Sequence, residues 1–202
     1  MTAEKVGAIL IVSRETTDRF KHYLALLEKW QKRINLVSNS TLAVAWQRHI
    51  LDSGQLAAHL PDGTKRILDV GSGAGFPGLV LAIMTDCEVH LVESDERKAI
   101  FMTTVIRELR LKAQVYNCRI ESLQPIAPDV ITARALAPLY KLLTLIQNQM
   151  HQDCVCLFLK GASLQQELTN LRSYSTMSFT VHPSLSDPDG AVLKLVSAER
   201  KD

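Results

Sequence analysis

Three glycines at alternate positions follow a short apolar run that ends in an acidic residue, in the stretch RILDVGSGAGFPG at residues 66–78. A dinucleotide-binding loop reads G-x-G-x-x-G, and its glycines let a pyrophosphate approach the N-terminus of a helix. Here the third glycine, Gly75, comes one residue early, and Phe76 fills the dinucleotide position. A Walker loop ends in Gly-Lys-Ser/Thr, whereas no lysine lies between Arg66 and Leu79. The loop therefore indicates close approach of a ligand that is not held through a phosphate.

Two acidic residues indicate which ligand this is. Asp69, just before the glycines, would repel a phosphate and suits a ligand that carries an ammonium group. Glu93 comes 22 residues after Gly71, at the end of the next strand-like run, where an acid can accept hydrogen bonds from both ribose hydroxyls. S-adenosylmethionine has an ammonium group, a sulfonium and a ribose. With Gly73 as the middle glycine, the pattern is that of S-adenosylmethionine-dependent methyltransferases, and it predicts this cofactor without a metal.

Strand-like and helical runs alternate from residue 66 onward, which predicts βαβ units and a mostly parallel sheet. Strands are expected at 66–70, 88–93, 113–117, 129–133, 154–160, about 177–182 and 191–197, and helices at about 77–84, 95–110, 138–149 and 162–173. We therefore predict an α/β fold, a Rossmann-like class I methyltransferase with seven strands. Ligands of such sheets bind at the carboxyl ends of the strands. The charged residues expected at those ends are Asp69, Glu93, Glu121, Arg134 and Lys160.

Residues 1–60 read as helical and precede a clear break at Pro61-Asp62-Gly63. An apolar stripe with helical spacing consists of Phe20, Tyr23, Leu24, Leu27, Trp30 and Ile34. Thr16, Thr17 and Asp18 are the expected caps of this helix. We predict an N-terminal helical extension at 1–60 and a methyltransferase domain at 61–202, packed together as one domain.

The charge of the chain is informative only locally. The 202 residues carry a net charge of +2, which gives no overall field that would favour nucleic acid. Between Arg19 and Arg48, however, six cationic residues stand against a single acid, Glu28. This excess suits a polyanion, and it is equally typical of a solvated helix face.

The cysteines and the N-terminus exclude other classes of protein. Cys87, Cys118, Cys154 and Cys156 form no Cys-x-x-Cys pair, and we interpret them as small buried hydrophobic residues. A metal site at Cys154 and Cys156 would have only His151 as a nearby partner. The apolar run at 6–12 is too short to span a bilayer and has no cleavage site. We expect a monomeric cytoplasmic protein that does not bind a membrane.

The segment after the fourth strand limits the methylation chemistry. Methylation of pyrimidine C5 needs a cysteine nucleophile, and residues 132–138 contain none. The Asn/Asp-Pro-Pro-aromatic loop that is common in methylation of exocyclic amines is also missing. Guanine N7 carries a lone pair and no proton, so its methylation needs positioning and no general base. Arg134 suits binding of guanine O6 or a phosphate, or alternatively a salt bridge to Asp129 or a bond to a helix carbonyl.

Matching motifs run through nearly the whole chain, and through them it resembles the bacterial 16S ribosomal RNA guanine-N7 methyltransferase G family, also called glucose-inhibited division protein B. Besides the glycine loop with its Phe76-Pro77-Gly78 continuation, the motifs are those at 30–38, 48–53, 93–98, 119–121, 132–135 and 159–161. The resemblance implies a seven-stranded methyltransferase sheet with an N-terminal helical extension. It also implies methyl transfer to N7 of one guanine in the decoding-region loop of 16S ribosomal RNA, either as free RNA or within the small subunit.

The resemblance also implies roles for individual residues. The implied cofactor-binding residues are Gly71, Phe76, Ile120, Glu121 and Arg134, which join Asp69, Gly73, Gly75 and Glu93 from the loop argument. Those implied on the substrate side are Asn35, Arg48, His49, Asp52, Ser53 and Lys160. We expect Arg134, Lys160, Asn35 and His49 to act in catalysis, and Arg48, Arg97, Lys98 and Lys160 to bind RNA. Where many members place an arginine before the last strand, this chain has Gly190-Ala191.

Plainer interpretations apply to some of these positions. Trp30 suits the core better than a base-stacking role, and His49, Asp52 and Ser53 can be groups that hold the extension to the sheet. Two other functions are open on the residues: a small-molecule methyltransferase of the same fold, and a ribosome-binding protein without turnover. The former predicts an apolar lid with few basic residues at the strand ends. The latter is disfavoured by the intact glycine loop and its two acids.

Overall fold

The core of the protein is a seven-stranded sheet, seen in a computed structural model that describes residues 1–171 and 177–197. The strands are β1 (Arg66–Val70), β2 (Glu88–Val92), β3 (Ala113–Tyr116), β4 (Val130–Arg134), β5 (Val155–Lys160), β6 (Met177–Pro183) and β7 (Ala191–Ser197). Their spatial order is β3-β2-β1-β4-β5-β7-β6. All neighbouring pairs are parallel except those of β7, which runs antiparallel to both β5 and β6. The predicted α/β class with a mostly parallel sheet is confirmed.

The strand order reverses at β1, which lies between β2 and β4. Leu68 pairs with His90 on one side and with Ile131 on the other. Ile67, Leu68 and Val70 are all buried, as expected for a strand that is covered on both faces. Ligands of open α/β sheets bind at the carboxyl ends of the strands, where the order reverses. The glycine loop follows β1 at this position.

Helices cover both faces of the sheet. They are α1 (Ala3–Ile9), α2 (Arg14–Gln31), α3 (Asn39–Leu42), α4 (Asp52–Gly54), α5 (Gly78–Met84), α6 (Glu96–Leu109), α7 (Leu139–Ile146) and α8 (Leu164–Leu171), with a π-helical segment at Trp46–Leu51 and 3-10 turns at Gln55–His59, Ile120–Ser122 and Gln147–Gln149. Helices α2, α5 and α6 pack on one face through residues such as Phe20, Leu79 and Phe101. Helices α7 and α8 pack on the other through Leu139 and Leu164. Among the described helices, none combines the length and apolar character that crossing a bilayer requires.

The N-terminal helices share the core of the sheet. Tyr23 of α2 is fully buried, and its hydroxyl donates a hydrogen bond of 2.5 Å to the carbonyl of Ala74 in the glycine loop. The side chain of Ser13 accepts from the amide of Thr16, so α2 begins one turn earlier than expected. Thr16, Thr17 and Asp18 lie within the helix, and their assignment as caps was wrong. The predicted boundary at residue 60 stays a prediction, since side chains from both sides of it belong to one hydrophobic cluster.

The predicted elements differ from the observed ones mainly at their ends. The helix expected at 138–149 ends as an α-helix at Ile146 and continues as a 3-10 turn. The helix expected at 162–173 is α8, which begins at Leu164, and residues 172–173 lie outside the described residues. The four-residue helix α3 and the π-helical segment lie in the region predicted as helical, but they were not predicted as separate elements because neither has a long apolar stripe.

Candidate active site

The glycine loop has two kinds of glycine. Gly71, Gly73 and Gly75 all have positive φ angles, of 67°, 59° and 95°, which residues other than glycine rarely adopt, so Gly73 and Gly75 differ in the space around them. A Cβ added to Gly73 would meet only the carbonyl of Gly71, at 4.0 Å, so the space above this residue is open. A Cβ on Gly75 would lie 2.3 Å from Leu79 and would clash in the core. Gly73 therefore leaves room for a ligand, whereas Gly75 serves packing.

A cavity of about 400 Å³, the smaller cavity hereafter, opens at this loop. Its lining residues are Val70, Gly71, Gly73, Val92, Glu93, Ser94, Lys98, Cys118, Arg119, Ile120, Glu121, Arg134, Ala135, Leu136 and Leu145. The carboxylate of Glu93 is fixed by two backbone amides, since Oε2 accepts from Gly73 and Oε1 from Asp95, each at 2.8 Å. Each oxygen has a further lone pair for a ligand hydroxyl. The smaller cavity brings together six predicted cofactor residues: Gly71, Gly73, Glu93, Ile120, Glu121 and Arg134.

Asp69 does not reach this cavity. Its side chain is fully buried, and Oδ1 accepts a 2.8 Å hydrogen bond from the hydroxyl of Thr132 in β4. Burial raises the pKa of Asp69 to about 6, although hydrogen bonds and the charge of Arg134 lower it. The carboxylate of Asp69 does not line the smaller cavity, and its predicted role toward a ligand ammonium stays a prediction. The carboxylate instead holds β1 against β4 beneath the loop.

Phe76 lies in a buried aromatic stack. Its ring is 4.7 Å from that of His49, nearly parallel, and 5.2 Å from that of Tyr23. The guanidinium of Arg134 lies 5.0 Å from the same ring centroid. Phe76 is only 2% exposed and lines neither cavity, and its predicted role in cofactor binding stays a prediction. The ring packs against His49 and the Arg134 guanidinium and so supports both side chains.

Arg134 ends β4 and is held by three groups from the N-terminal extension. Its Nη1 donates to the carbonyl of Arg48 at 2.8 Å and lies 3.4 Å from Oδ2 of Asp52. Its Nη2 lies 3.2 Å from Nδ1 of His49. The alternative partner Asp129 is excluded, because its Oδ2 accepts from the amides of Lys65 and Arg66 at the opposite edge of the sheet. The other alternative, a bond to a carbonyl within a helical segment, is what the structure contains.

A larger cavity of about 790 Å³ lies on the other side of Arg134. Its lining residues are Leu36, Val37, Ser38, Thr41, Arg48, His49, Asp52, Arg134, Ala135, Leu136, Ala137, Pro138, Leu159, Lys160, Gly161, Ser163, Glu167, Asp187 and Gly190. Arg134, Ala135 and Leu136 line both cavities, so the two spaces meet at this segment.

Charged side chains in the larger cavity are paired. Arg48 forms an ion pair with Asp187. Lys160 is 9% exposed and lies 2.6 Å from Glu167, and its ammonium also donates to the carbonyl of Ala137 at 3.1 Å. Glu167 and Asp187 were missed in the sequence because neither belongs to a recognisable motif. Both become apparent only through partners that the fold supplies.

Other predicted residues lie elsewhere. Asn35 is exposed, its side-chain oxygen is 3.4 Å from Nε2 of Gln31, and it lines neither cavity. Lys98 is predicted to bind RNA but lines the smaller cavity, where Glu93 and the other predicted cofactor residues lie. Arg97 is exposed and pairs with Asp95. The RNA-binding roles of Lys98 and Arg97 stay predictions.

Three comparisons place this geometry among known proteins. The model of the GidB family, described as rRNA small subunit methyltransferase G, matches residues 16–188. A Ribosomal RNA small subunit methyltransferase G of Rhodospirillum rubrum is 48% identical over 200 residues, which cover 99% of this chain and 100% of that protein. The protein of the same name from Cereibacter sphaeroides is 47% identical over 200 residues, which cover 96% of this chain and 97% of that protein.

The chain belongs to the GidB family. It is therefore a small-subunit ribosomal RNA methyltransferase, as the motifs predicted. The GidB fold is also similar to solved structures of low sequence identity. A SAM-dependent methyltransferase from Aquifex aeolicus has a TM-score of 0.60 at 17% identity, covering 84% of this chain and 97% of that one. A ribosomal protein L11 methylase from Lactobacillus delbrueckii subsp. bulgaricus has a TM-score of 0.60 at 14% identity, and the match covers 73% of this chain and 77% of that one. These two likenesses support the fold alone.

One histidine of the GidB site is held neutral. Burial, together with the charges of Arg134 and Arg48, lowers the pKa of His49 from its ordinary value of 6.5 to about 3. Because Nδ1 faces the Arg134 guanidinium, it accepts, and Nε2 carries the proton toward Thr41 at 3.2 Å. A neutral ring with both nitrogens engaged is not available as a general base.

We expect His49 to make folding of this GidB member sensitive to acid. Between pH 6.5 and about 3, the unfolded chain binds a proton at His49 that the folded protein excludes, so the free energy of unfolding falls as pH falls. The expected contribution is about 1.4 kcal/mol per pH unit. Urea unfolding of the wild type and of His49→Gln from pH 4 to pH 7 measures it. The variant should be less stable at pH 7 and show the shallower dependence on pH.

His22 offers the matched control. This histidine is exposed and forms a surface pair with Glu108 at 2.9 Å. His22→Gln should leave the wild-type pH dependence nearly unchanged, and subtraction removes the contributions of other groups such as Asp69. Parallel curves for the wild type and His49→Gln would show that His49 is not held neutral.

Proposed function

We propose that this enzyme transfers the methyl group of S-adenosylmethionine to N7 of one guanine in the decoding-region loop of 16S ribosomal RNA. The observation that carries the proposal is the meeting of the two cavities at Arg134, Ala135 and Leu136. One ligand in each cavity would come together at this segment. Methyl transfer requires such a meeting, because the nucleophile must lie in line with the bond that breaks.

The residues of the smaller cavity fit S-adenosylmethionine. The open space above Gly73 admits a ligand close to the backbone, and the fixed carboxylate of Glu93 can accept ribose hydroxyls. The buried side chain of Ile120 supplies an apolar surface suited to an adenine ring. The bound cofactor would supply an electrophilic methyl group. Arg134 would hold the methionyl end or the substrate at the junction of the cavities.

Guanine N7 suits the residues on the substrate side. Attack by its lone pair moves no proton, so the neutral, fully hydrogen-bonded His49 is compatible with the reaction. The positive charge that appears on the guanine ring replaces the charge lost from the sulfonium. Asp52 and Glu167 line the larger cavity and are carboxylates that tolerate a cationic ring. Lys160, which is paired with Glu167, is proposed to contribute to turnover.

The competing function, a small-molecule methyltransferase, fits the larger cavity less well. That function predicts an apolar lid, whereas the larger cavity carries charged side chains from Arg48, Asp52, Lys160 and Glu167. A wall of paired charges does not match such an apolar lid, and the family match supports a ribosomal RNA substrate. We further propose that the enzyme acts in the cytoplasm, because its substrate is the small ribosomal subunit or its RNA, and that it acts as a monomer.

The test is incubation of the purified protein with S-adenosylmethionine and small-subunit RNA from cells that lack it, followed by nucleoside mass spectrometry. We expect 7-methylguanosine in the RNA after the reaction. Before the reaction, the RNA from cells that lack the protein should not contain this nucleoside at the target position. Parallel reactions with free RNA and with intact subunits identify the substrate form. Methylation of another atom, or none with either substrate, would exclude the proposal. Cys118→Ala, which changes the one cysteine lining the smaller cavity, should still transfer the methyl group.

A further inference from the structure

A groove lies between the C-terminal end of α2 and the N-terminal end of α6, outside both cavities. Its volume is about 360 Å³, and we call it the Trp30 groove. Trp30, Ile34 and Ile100 supply its apolar surface, and Lys29, Lys32, Arg33 and Arg97 supply its cations. The described part of this lining contains no acidic side chain, so the groove combines an apolar floor with charge of one sign.

The floor is held in place and accessible. Trp30 is half-buried and packs against Phe101 with 5.7 Å between the ring centroids, which fixes the indole from one side. Ile100, one residue before Phe101 in α6, is 50% exposed. A large exposed aliphatic side chain beside a fixed indole provides a surface on which a flat ring can stack. Trp30 therefore contributes to the core and to the surface at once.

The cations of the groove are largely free to meet an anion. Lys29, Lys32 and Arg33 are exposed and form no ion pair within residues 1–171 and 177–197. Arg97 pairs with Asp95 at 3.2 Å, yet its side chain is 71% exposed. Cations around a stacking surface are the combination that binds single-stranded nucleic acid, in which phosphates and base faces alternate.

The groove adjoins both cavities through the chain itself. After α2 the backbone leads from Arg33 to Leu36, Val37 and Ser38, which line the larger cavity. Arg97 precedes Lys98, which lines the smaller cavity. The groove therefore lies at the same edge of the sheet as the proposed site of transfer.

We propose that the Trp30 groove binds single-stranded ribosomal RNA next to the methylated guanine. The inference rests on the proposed function and adds a second RNA contact to it. A base stacks against Trp30 and Ile100, while Lys32 and Arg33 contact the adjoining phosphates. The groove acts on affinity for RNA and leaves the cofactor site unchanged.

Two variants and their matched controls test the proposal on the full-length protein. Ile100→Glu puts a carboxylate into the groove, and Ile11→Glu does the same at a side chain that is 92% exposed and distant in sequence. The pair Lys32→Ala and Arg33→Ala is matched by Lys65→Ala and Lys112→Ala, whose residues precede β1 and β3 at the opposite edge of the sheet. The probes are unmodified 16S RNA, an eight-nucleotide oligoadenylate and intact small subunits. Binding of these probes is measured by filter retention over a range of salt concentrations. Binding of S-adenosylmethionine is measured by calorimetry.

We expect Ile100→Glu to weaken binding of both RNA probes about tenfold. The Lys32 and Arg33 double variant should lower the salt slope by about 1.4, which is two single-strand phosphates. Controls should bind like the wild type, and all variants should retain cofactor affinity and transfer at saturating RNA.

If both groove variants bind RNA like the wild type, the proposal for the groove is wrong. Methylation by the wild type in the same experiment would still support the proposed function. Loss of binding to subunits alone would also overturn it, because the occupant would then be a ribosomal protein. A wild type that transfers no methyl group would instead refute the proposed function.

Discussion

Arg134→Ala should lower the rate of methyl transfer about a hundredfold or more and should weaken binding of both the cofactor and the RNA. Arg134 lines both cavities, so its loss changes the walls of the two sites at once. Its side chain is 19% exposed and joins β4 to Arg48, His49 and Asp52 of the extension. Removing it leaves the Asp52 carboxylate in a site that is largely closed to water. Single-turnover transfer, together with calorimetry for S-adenosylmethionine and filter binding for RNA, measures the three effects.

Arg66→Ala is the matched control for this prediction. Arg66 also donates to a backbone carbonyl, that of Ile126 at 2.8 Å, but it begins β1 at the opposite edge of the sheet. This variant should retain transfer and both affinities. Arg134→Lys should fall between Arg134→Ala and the wild type, since an ammonium keeps the charge without the planar fork. Wild-type transfer in Arg134→Ala would rule out a role of this residue at the junction.

Gly73→Val should weaken cofactor binding by about 3 kcal/mol, which is somewhat more than a hundredfold in Kd. The open space above Gly73 is where a ligand would approach the backbone, and a valine side chain would fill it. The amide of Gly73 also holds the Glu93 carboxylate, so a shift of the loop would disturb the proposed ribose contact. Calorimetry with S-adenosylmethionine measures the loss.

A valine at a positive φ angle also strains the backbone by about 1–2 kcal/mol, whatever the ligand. Gly63→Val separates this strain from the effect on binding. Gly63 has a φ of 77° and no atom within 4 Å of an added Cβ, and it lies in the turn before β1. Both variants should lose similar stability in urea, whereas only Gly73→Val should lose the cofactor. Equal cofactor affinity in the two variants would show that the loop does not form the cofactor site.

The sequence predicts best what is local along the chain. The glycine loop, the strand before it and Glu93 at the end of the next strand follow from spacing alone, and the structure brings Glu93 to Gly73. It predicts poorly which groups the fold then buries. Asp69 has the charge of a ligand contact, but Thr132 is 63 residues away in sequence and covers it. The same limit applies to Arg134, whose carbonyl partner at Arg48 is 86 residues distant.

The hydroxyl of Tyr23 and the stack around Phe76 have a consequence for how such enzymes diversify. Because α2 holds the carbonyl of Ala74 and packs against the ring of Phe76, the extension forms part of the wall behind the cofactor loop. The extension is therefore not an independent RNA-recognition module. Replacing it, up to Pro61, with the corresponding segment of another methyltransferase would disrupt the loop. A graft would leave Phe76 without its aromatic neighbours and Arg134 without its acceptors. A change of target choice that involves this helical segment therefore requires the helix and the loop to change together.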